Sequence, residues 1–260
     1  MIHKTAIVDS KAKISSNVKI GPYSIIGPHV EIDADVIIQS HVNIVGHTTI
    51  GKNNRIYPLA SIGSDPQDLK YKGEKTSLII GTNNIIREHA TINTGTIQGG
   101  GITKVGNNNL IMIGAHIAHD CIIGNDIVMA NNSAVAGHAE IQDFVIIGAK
   151  CGIQQFTRIG KMAMIGGMTA VSRDVIPYGL SIGNRNFLNG INVIGLRRDK
   201  VQNKEIIGLT EAYKEIFKSK NLSENLSKLN GKFKDNTLVK EVLEFINKDK
   251  KRPICTPYSD

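Results

Sequence analysis

An isoleucine or valine recurs at every sixth position from the start of the chain: Ile2, Val8, Ile14, Ile20, Ile26, Ile32, Ile38, Ile44, Ile50, Ile56 and Ile62. Helical periodicity does not produce a period of six. Internal repeats this short mark a solenoid, in which each repeat buries its apolar face only against its neighbours. After a polar stretch from Ser64 to Ser77 the ladder resumes at Ile80, Ile86 and Ile92. Ile80 lies three repeats beyond Ile62, so the loop is expected to replace one whole turn. A second interruption around Gln98-Gly99-Gly100-Gly101 shifts the phase by one. The ladder then runs from Val105 through Ile111, Ile117, Ile123, Met129, Val135, Ile141, Ile147, Ile153, Ile159 and Ile165 to Val171.

Four positions after each aliphatic residue stands a small or β-branched one, among them Ser24, Val30, Val36, Thr48, Ala60, Ala115, Cys121 and Cys151. These two positions fill an interior, and the glycine that often follows the aliphatic residue, as at Gly21, Gly51, Gly81 and Gly106, marks a turn. Three short strands joined by corners make an eighteen-residue coil. Coils stack about 4.8 Å apart through parallel strand hydrogen bonds, so residues eighteen apart share a column. Spacing leaves the handedness of the coil open, and the general rule for crossovers favours a right-handed one. Beyond Pro177 the hexads stop. Apolar residues at three and four spacing then predict helices from Lys204 to Phe217, Leu222 to Leu229 and Leu238 to Ile246. The expected division is a parallel β-helix over residues 1–190 and a helical domain over 191–260 that caps its open end.

The hydrophobic fraction of 41% supports a packed core, and 5% aromatics with no Trp beside 26 Gly suits an aliphatic interior with tight corners. No apolar leader stands at the N-terminus and no stretch approaches the roughly 20 apolar residues of a membrane span, so a cytoplasmic protein is expected. Cys121, Cys151 and Cys255 are odd in number and lack CxxC spacing, which argues for reduced packing thiols. The net charge of +8 is spread along the chain without interleaved aromatics, so nucleic acid is not the expected partner.

Chemistry concentrates at His116-Ile117-Ala118-His119-Asp120. His119, Gly137 and Gln155 are successive eighteens, which sets an imidazole one coil from a glycine backbone and two from a carboxamide. Asp120 and His138 form a second such pair. A base, a carboxylate to orient an imidazole, and a backbone N–H thereby share one patch. His29 and His47, also eighteen apart, read as stacked corner residues, while His3, His41 and His89 read as surface residues.

The opening hexads, the loop Gln67-Asp68-Leu69-Lys70-Tyr71, the run from Gln98 to Gly106, the string His116 to Cys121, Ala136-Gly137-His138, and the stretches Gly183-Asn184 and Asn192 to Arg198 together resemble the UDP-N-acetylglucosamine O-acyltransferase family of lipid A synthesis. The resemblance implies a left-handed coil and a homotrimer with active sites in the clefts between subunits. The reaction it implies is transfer of a 3-hydroxyacyl chain from acyl carrier protein to the 3-hydroxyl of the sugar nucleotide. No resident cofactor or metal is implied, since the acyl group arrives on the phosphopantetheine of the carrier protein. By the same resemblance His119 is the general base, Asp120 holds its tautomer and the Gly137 N–H receives the oxyanion. Gln67, Asp68, Leu69 and Lys70 hold the glucosamine, and His116, His138 and Gln155 line the cleft. Asn192 and Arg198 contact the nucleotide or its phosphates, and Gly167 sets the acyl length. The chain departs from the family pattern at Asn93-Thr94-Gly95, Gln154, Ile194 and Asp199. Acylation of a 3-amino sugar by the same mechanism, a zinc-dependent hydratase with His116, His119 and His138 as ligands, and a non-catalytic scaffold are the alternatives.

Overall fold

The structure is a computed structural model that describes residues 1–229, 231–249 and 252–258; the remaining five positions of the expected helical domain lie outside the described residues. Strands of mostly two residues, beginning with Ile7–Val8, Lys13–Ile14 and Lys19–Ile20, succeed one another at the six-residue period and pass in rotation to three sheets of 9, 8 and 10 strands. Pairing within the sheets is parallel, except where Phe187–Ile191 runs antiparallel to Gly179–Ile182 at the end of the third. The molecule is thus mainly β, a left-handed parallel β-helix of hexapeptide repeats with helices at its C-terminal end.

The two interior positions are buried as the period requires. Ile44, Ile62, Ile92 and Ile117 are at 0% exposure, as are Ala90, Ala115 and Cys121 from the small position. A two-residue strand has almost no stability of its own, so order comes from stacking each coil on the next.

Two expectations need correction. The loop after Ile62 does not replace a turn. Ile62 pairs with Ile92 and Ile50 with Ile80, thirty residues apart where ordinary coils are separated by eighteen, so twelve residues are inserted at one corner. The second break inserts seven, since Thr91 pairs with His116 twenty-five residues on. Both insertions leave from the corner between the first and second sheets. The glycines after the aliphatic residues also have a different reason from the one expected. Gly21, Gly51, Gly81 and Gly106 do not adopt positive φ; a Cβ on Gly51 would lie 2.7 Å from the Gly81 carbonyl oxygen of the next coil. Left-handed backbone falls two residues later, at Asn53 (φ 59), Asn83 (φ 58) and Asn108 (φ 59), side chains that tolerate it.

Inside the coil runs a polar ladder. Asn54, Asn84 and Asn109 take the small interior position at 0 to 1% exposure. The Asn54 side-chain oxygen accepts from the Asn84 N–H at 2.8 Å, that of Asn84 from the Asn109 N–H at 2.9 Å, and that of Asn109 from the Ile127 N–H at 2.8 Å. Their amide nitrogens donate to the corner carbonyls of Gly81, Gly106 and Gly124. Buried polar groups satisfied in this way lock the register between coils.

Helices Val193–Arg198 (α1), Asn203–Ile216 (α2), Leu222–Lys228 (α3) and Thr237–Lys248 (α4) follow. α1 was not anticipated. The Arg158 side chain ties the last coils to this domain: it pairs with Asp174 at 2.7 Å, donates to the carbonyls of Phe245 and Asp249, and lies over the Phe245 ring. The chain then returns, and Ile254 bridges Asp174 at the end of the coil. Among the described residues no helix is long and apolar enough to cross a membrane.

Replacing Asn84 with Ala strands the Asn109 N–H and the Gly106 carbonyl in the interior. At about 1–3 kcal/mol for each buried group left unpaired, we expect guanidinium unfolding to show a loss of roughly 2–5 kcal/mol.

Candidate active site

Where the chain leaves the first sheet, the same corner recurs coil after coil, and the two insertions and the His119 patch all belong to it. His119, Gly137 and Gln155 occupy the second corner position of three successive coils, after Ile117, Val135 and Ile153. Together with Gln67 of the first insertion and with His116 they line a groove of about 370 Å³ whose floor is small: Ala118, Ala134, Ala136 and Gly152. The eighteen-residue period thus brings together the residues it predicted, and the loop residue Gln67 reaches them from outside the period.

The His119 imidazole lies flat on Gly137. A Cβ built on Gly137 would stand 2.5 Å from Cε1 and 2.8 Å from Nε2 of the ring, so any other residue there would displace the imidazole. Nδ1 lies 2.8 Å from Oδ2 of Asp120, whose side chain is wholly buried. Against a carboxylate, Nδ1 carries the proton and Nε2 keeps its lone pair for the groove. The Gly137 N–H meets no acceptor among the described residues, as at this position in the neighbouring coils, whereas its carbonyl accepts from the Phe156 N–H at 3.0 Å.

His138 stands edge-on to His119, with ring centroids 5.1 Å apart, and stacks on Phe156 at 4.4 Å. Its Nε2 is 3.7 Å from Asp120. Burial pushes the His138 pKa down, Asp120 pulls it up, His119 lowers it further and Asp68 raises it, with the net shift below the ordinary value. His116 is also lowered, first by burial and then by His119, and its Nδ1 lies 2.7 Å from the Thr91 hydroxyl. Among the described residues, the metal-type donors within 4.8 Å of one another are those of His119, Asp120 and His138; His116, which the zinc hydratase reading needs, is outside that group.

Asp68 turns its own loop, with Oδ1 accepting from the Lys70 N–H at 2.9 Å, while Leu69 and Lys70 point into solvent. The loop base is held by Asn93, whose amide nitrogen donates to the carbonyls of Asp65 and Ser64. Three expected site residues stand elsewhere in the chain. Gly167 follows Ile165 at the corner after the third sheet. Asn192 caps α1 and donates to the Met162 carbonyl at the corner after the second sheet, and Arg198 is exposed at the end of α1. Gly167 is not required by the coil: its φ is not positive, and a Cβ would make only ordinary contact, 3.4 Å from the Ala149 carbonyl oxygen.

Sequence reasoning missed Phe156, Thr91, Thr96 and Thr103. Phe156 is eighteen residues after His138 and was open to the same period. Thr96 donates through its N–H and its hydroxyl to Asp120. It sits in an insertion, where the period gives no position.

The chain is similar to known proteins over most of its length. Residues 11–46 and 102–137 match the bacterial transferase hexapeptide model, and residues 174–255 match domain 2 of UDP N-acetylglucosamine O-acyltransferase. The chain is 50% identical over 246 residues, 94% of each protein, to the acyl-[acyl-carrier-protein]–UDP-N-acetylglucosamine O-acyltransferase of Aliarcobacter butzleri. It is 47% identical to that of Nautilia profundicola over 203 residues, 78% of each. The crystal structure of the UDP-N-acetylglucosamine O-acyltransferase of Moraxella catarrhalis superposes with a TM-score of 0.93 at 44% identity, covering 97% of this chain and 98% of the other.

With both rings held below the ordinary histidine value of about 6.5, NMR titration is expected to find His116 and His138 neutral at pH 7. The unfolded chain then binds these protons more readily than the folded one. Their contribution to stability is present in full above about pH 6.5 and is lost as pH falls from there through their lowered folded values.

Proposed function

We propose that this chain, which belongs to the acyl-[acyl-carrier-protein]–UDP-N-acetylglucosamine O-acyltransferase family, transfers a (3R)-3-hydroxyacyl group from acyl carrier protein to the glucosamine 3-hydroxyl of UDP-N-acetylglucosamine, the first step of lipid A synthesis. The observation that carries the mechanism is the His119 ring seated on Gly137, with Nδ1 on a buried carboxylate and Nε2 toward the groove.

Nε2 takes the proton of the sugar hydroxyl as its oxygen attacks the thioester carbonyl. The oxyanion that develops is received by the Gly137 N–H, which has no other acceptor among the described residues. When the C–S bond breaks, the imidazolium returns its proton to the departing phosphopantetheine thiolate, leaving the new ester. Asp120 keeps the imidazole in the required tautomer and balances the charge it gains. No covalent acyl-enzyme and no resident cofactor enters the scheme. Gln67, Asp68, Leu69 and Lys70 hold the glucosamine, His116, His138 and Gln155 line its pocket, and Asn192 and Arg198 meet the nucleotide.

Those last two residues and Gly167 lie away from the His119 corner, which argues for a site built between copies. The third sheet carries outward apolar residues Ile85, Leu110, Val128, Ile146 and Met164 in successive coils, a column suited to subunit contact. A homotrimer, with the coil (1–190) forming the clefts and the helical domain (191–260) capping the coil's open end, satisfies both features. The absence of a side chain at Gly167, which the coil does not require, fits a long acyl chain. The net charge of +8 suits an acidic carrier protein as donor, in a reaction proposed to take place in the cytoplasm.

Incubation with UDP-N-acetylglucosamine and a series of 3-hydroxyacyl carrier proteins, read by product mass, is expected to show one acyl group added to the sugar nucleotide. His119→Ala should lower that turnover by about 10²–10⁴ with the fold retained. Near-normal turnover in the variant would rule out His119 as base.

A further inference from the structure

We propose that Thr96, in the second insertion, is the positioning residue that sets the Asp120 carboxylate against His119. The inference rests on His119 acting as the general base.

Asp120 is an unusual place for a charge. Its side chain has no solvent exposure, and its backbone is left-handed, with φ 59. A carboxylate withdrawn from water needs donors, and their placement decides where its lone pairs point. Two of its close donors come from Thr96. The Thr96 N–H reaches Oδ1 at 2.8 Å and the Thr96 hydroxyl reaches Oδ2 at 2.6 Å, beside His119 Nδ1 at 2.8 Å on the same oxygen. Thr96 is itself 1% exposed and caps the single turn Ile97–Gly99, its hydroxyl oxygen accepting from the Gly99 N–H at 3.2 Å. The turn closes directly on the carboxylate: a Cβ on Gly99 would lie 2.0 Å from the Asp120 carboxyl carbon. From the other side Thr103 accepts the Asp120 N–H at 2.8 Å.

This arrangement separates two tasks. The coil supplies the positions of His119, Asp120 and Gly137, but a corner side chain can still rotate. The seven inserted residues remove that freedom by holding both carboxylate oxygens, so Oδ2 faces Nδ1. The titratable groups around the pair are His116 from the preceding strand, His138 from the next coil, Asp68 from the first insertion and the buried Cys121 thiol beside Asp120.

Thr96→Val keeps the shape and the backbone N–H and removes one donor. In steady-state acyl transfer its kcat is expected to fall about ten- to a hundredfold, the size of one hydrogen bond to a charged group, with KM for the sugar nucleotide unchanged. With one donor fewer, Oδ2 attracts Nδ1–H more strongly and stabilises the imidazolium, so the acid limb of the kcat/KM profile moves to higher pH. Thr96→Ser, which restores the hydroxyl, returns both properties. Gly99→Ala, which keeps both Thr96 donors but presses on the carboxylate, gives a comparable loss of kcat. A normal kcat and pH profile in Thr96→Val, with His119→Ala inactive, overturns the role of Thr96 and leaves the base in place. A loss in Thr96→Val without the pH displacement, or without rescue by Ser, assigns Thr96 to folding alone and equally overturns the proposal. Normal turnover in His119→Ala overturns the reading beneath it.

Discussion

Everything in this molecule depends on the parallel hydrogen bonds that hold one coil on the next. Each strand is too short to persist alone, so the register between coils is the fold. That register fixes side chains in columns at the spacing of a β-ladder. A ring on one coil therefore rests on the backbone of the next, and the Cβ absent from Gly137 decides where the His119 imidazole lies. The buried asparagines Asn54, Asn84 and Asn109 strengthen this register from within, since each spans two coils through its side chain.

A rigid ladder gives precise placement along its axis and little freedom elsewhere. The chain obtains that freedom by inserting residues at one corner only. The twelve residues after Ile62 put Gln67 over the groove, and the seven after Ile92 bring Thr96 to Asp120. Strand pairing continues past both insertions, with a register shift between Ile62 and Ser64 where the first one leaves the coil. The site combines parts that the repeat positions and parts that escape it.

This division explains how much was legible in the residues alone. The interior, the coil length and the juxtaposition of His119, Gly137 and Gln155 follow from a period that can be counted. Helices α2, α3 and α4 follow from three and four spacing, and the short α1 does not. The insertions were visible as breaks, but their size was misjudged after Ile62, because twelve extra residues preserve the six-residue phase and mimic a missing turn. The glycines at Gly51 and Gly81 were read as conformational when crowding by the next coil is the cause. Thr96 was invisible, since a loop contact depends on chain geometry that no period encodes. Gly167, Asn192 and Arg198 stand away from the His119 groove, and no period relates them to it.

In the proposed mechanism Asp120 holds His119 with its proton on Nδ1, leaving Nε2 free to act. Long-range ¹H–¹⁵N NMR of the wild-type protein, at a pH where His119 is neutral, reads this directly. We predict a protonated Nδ1 and an unprotonated Nε2. A ring protonated on Nε2 would present a donor to the substrate hydroxyl and contradict the account.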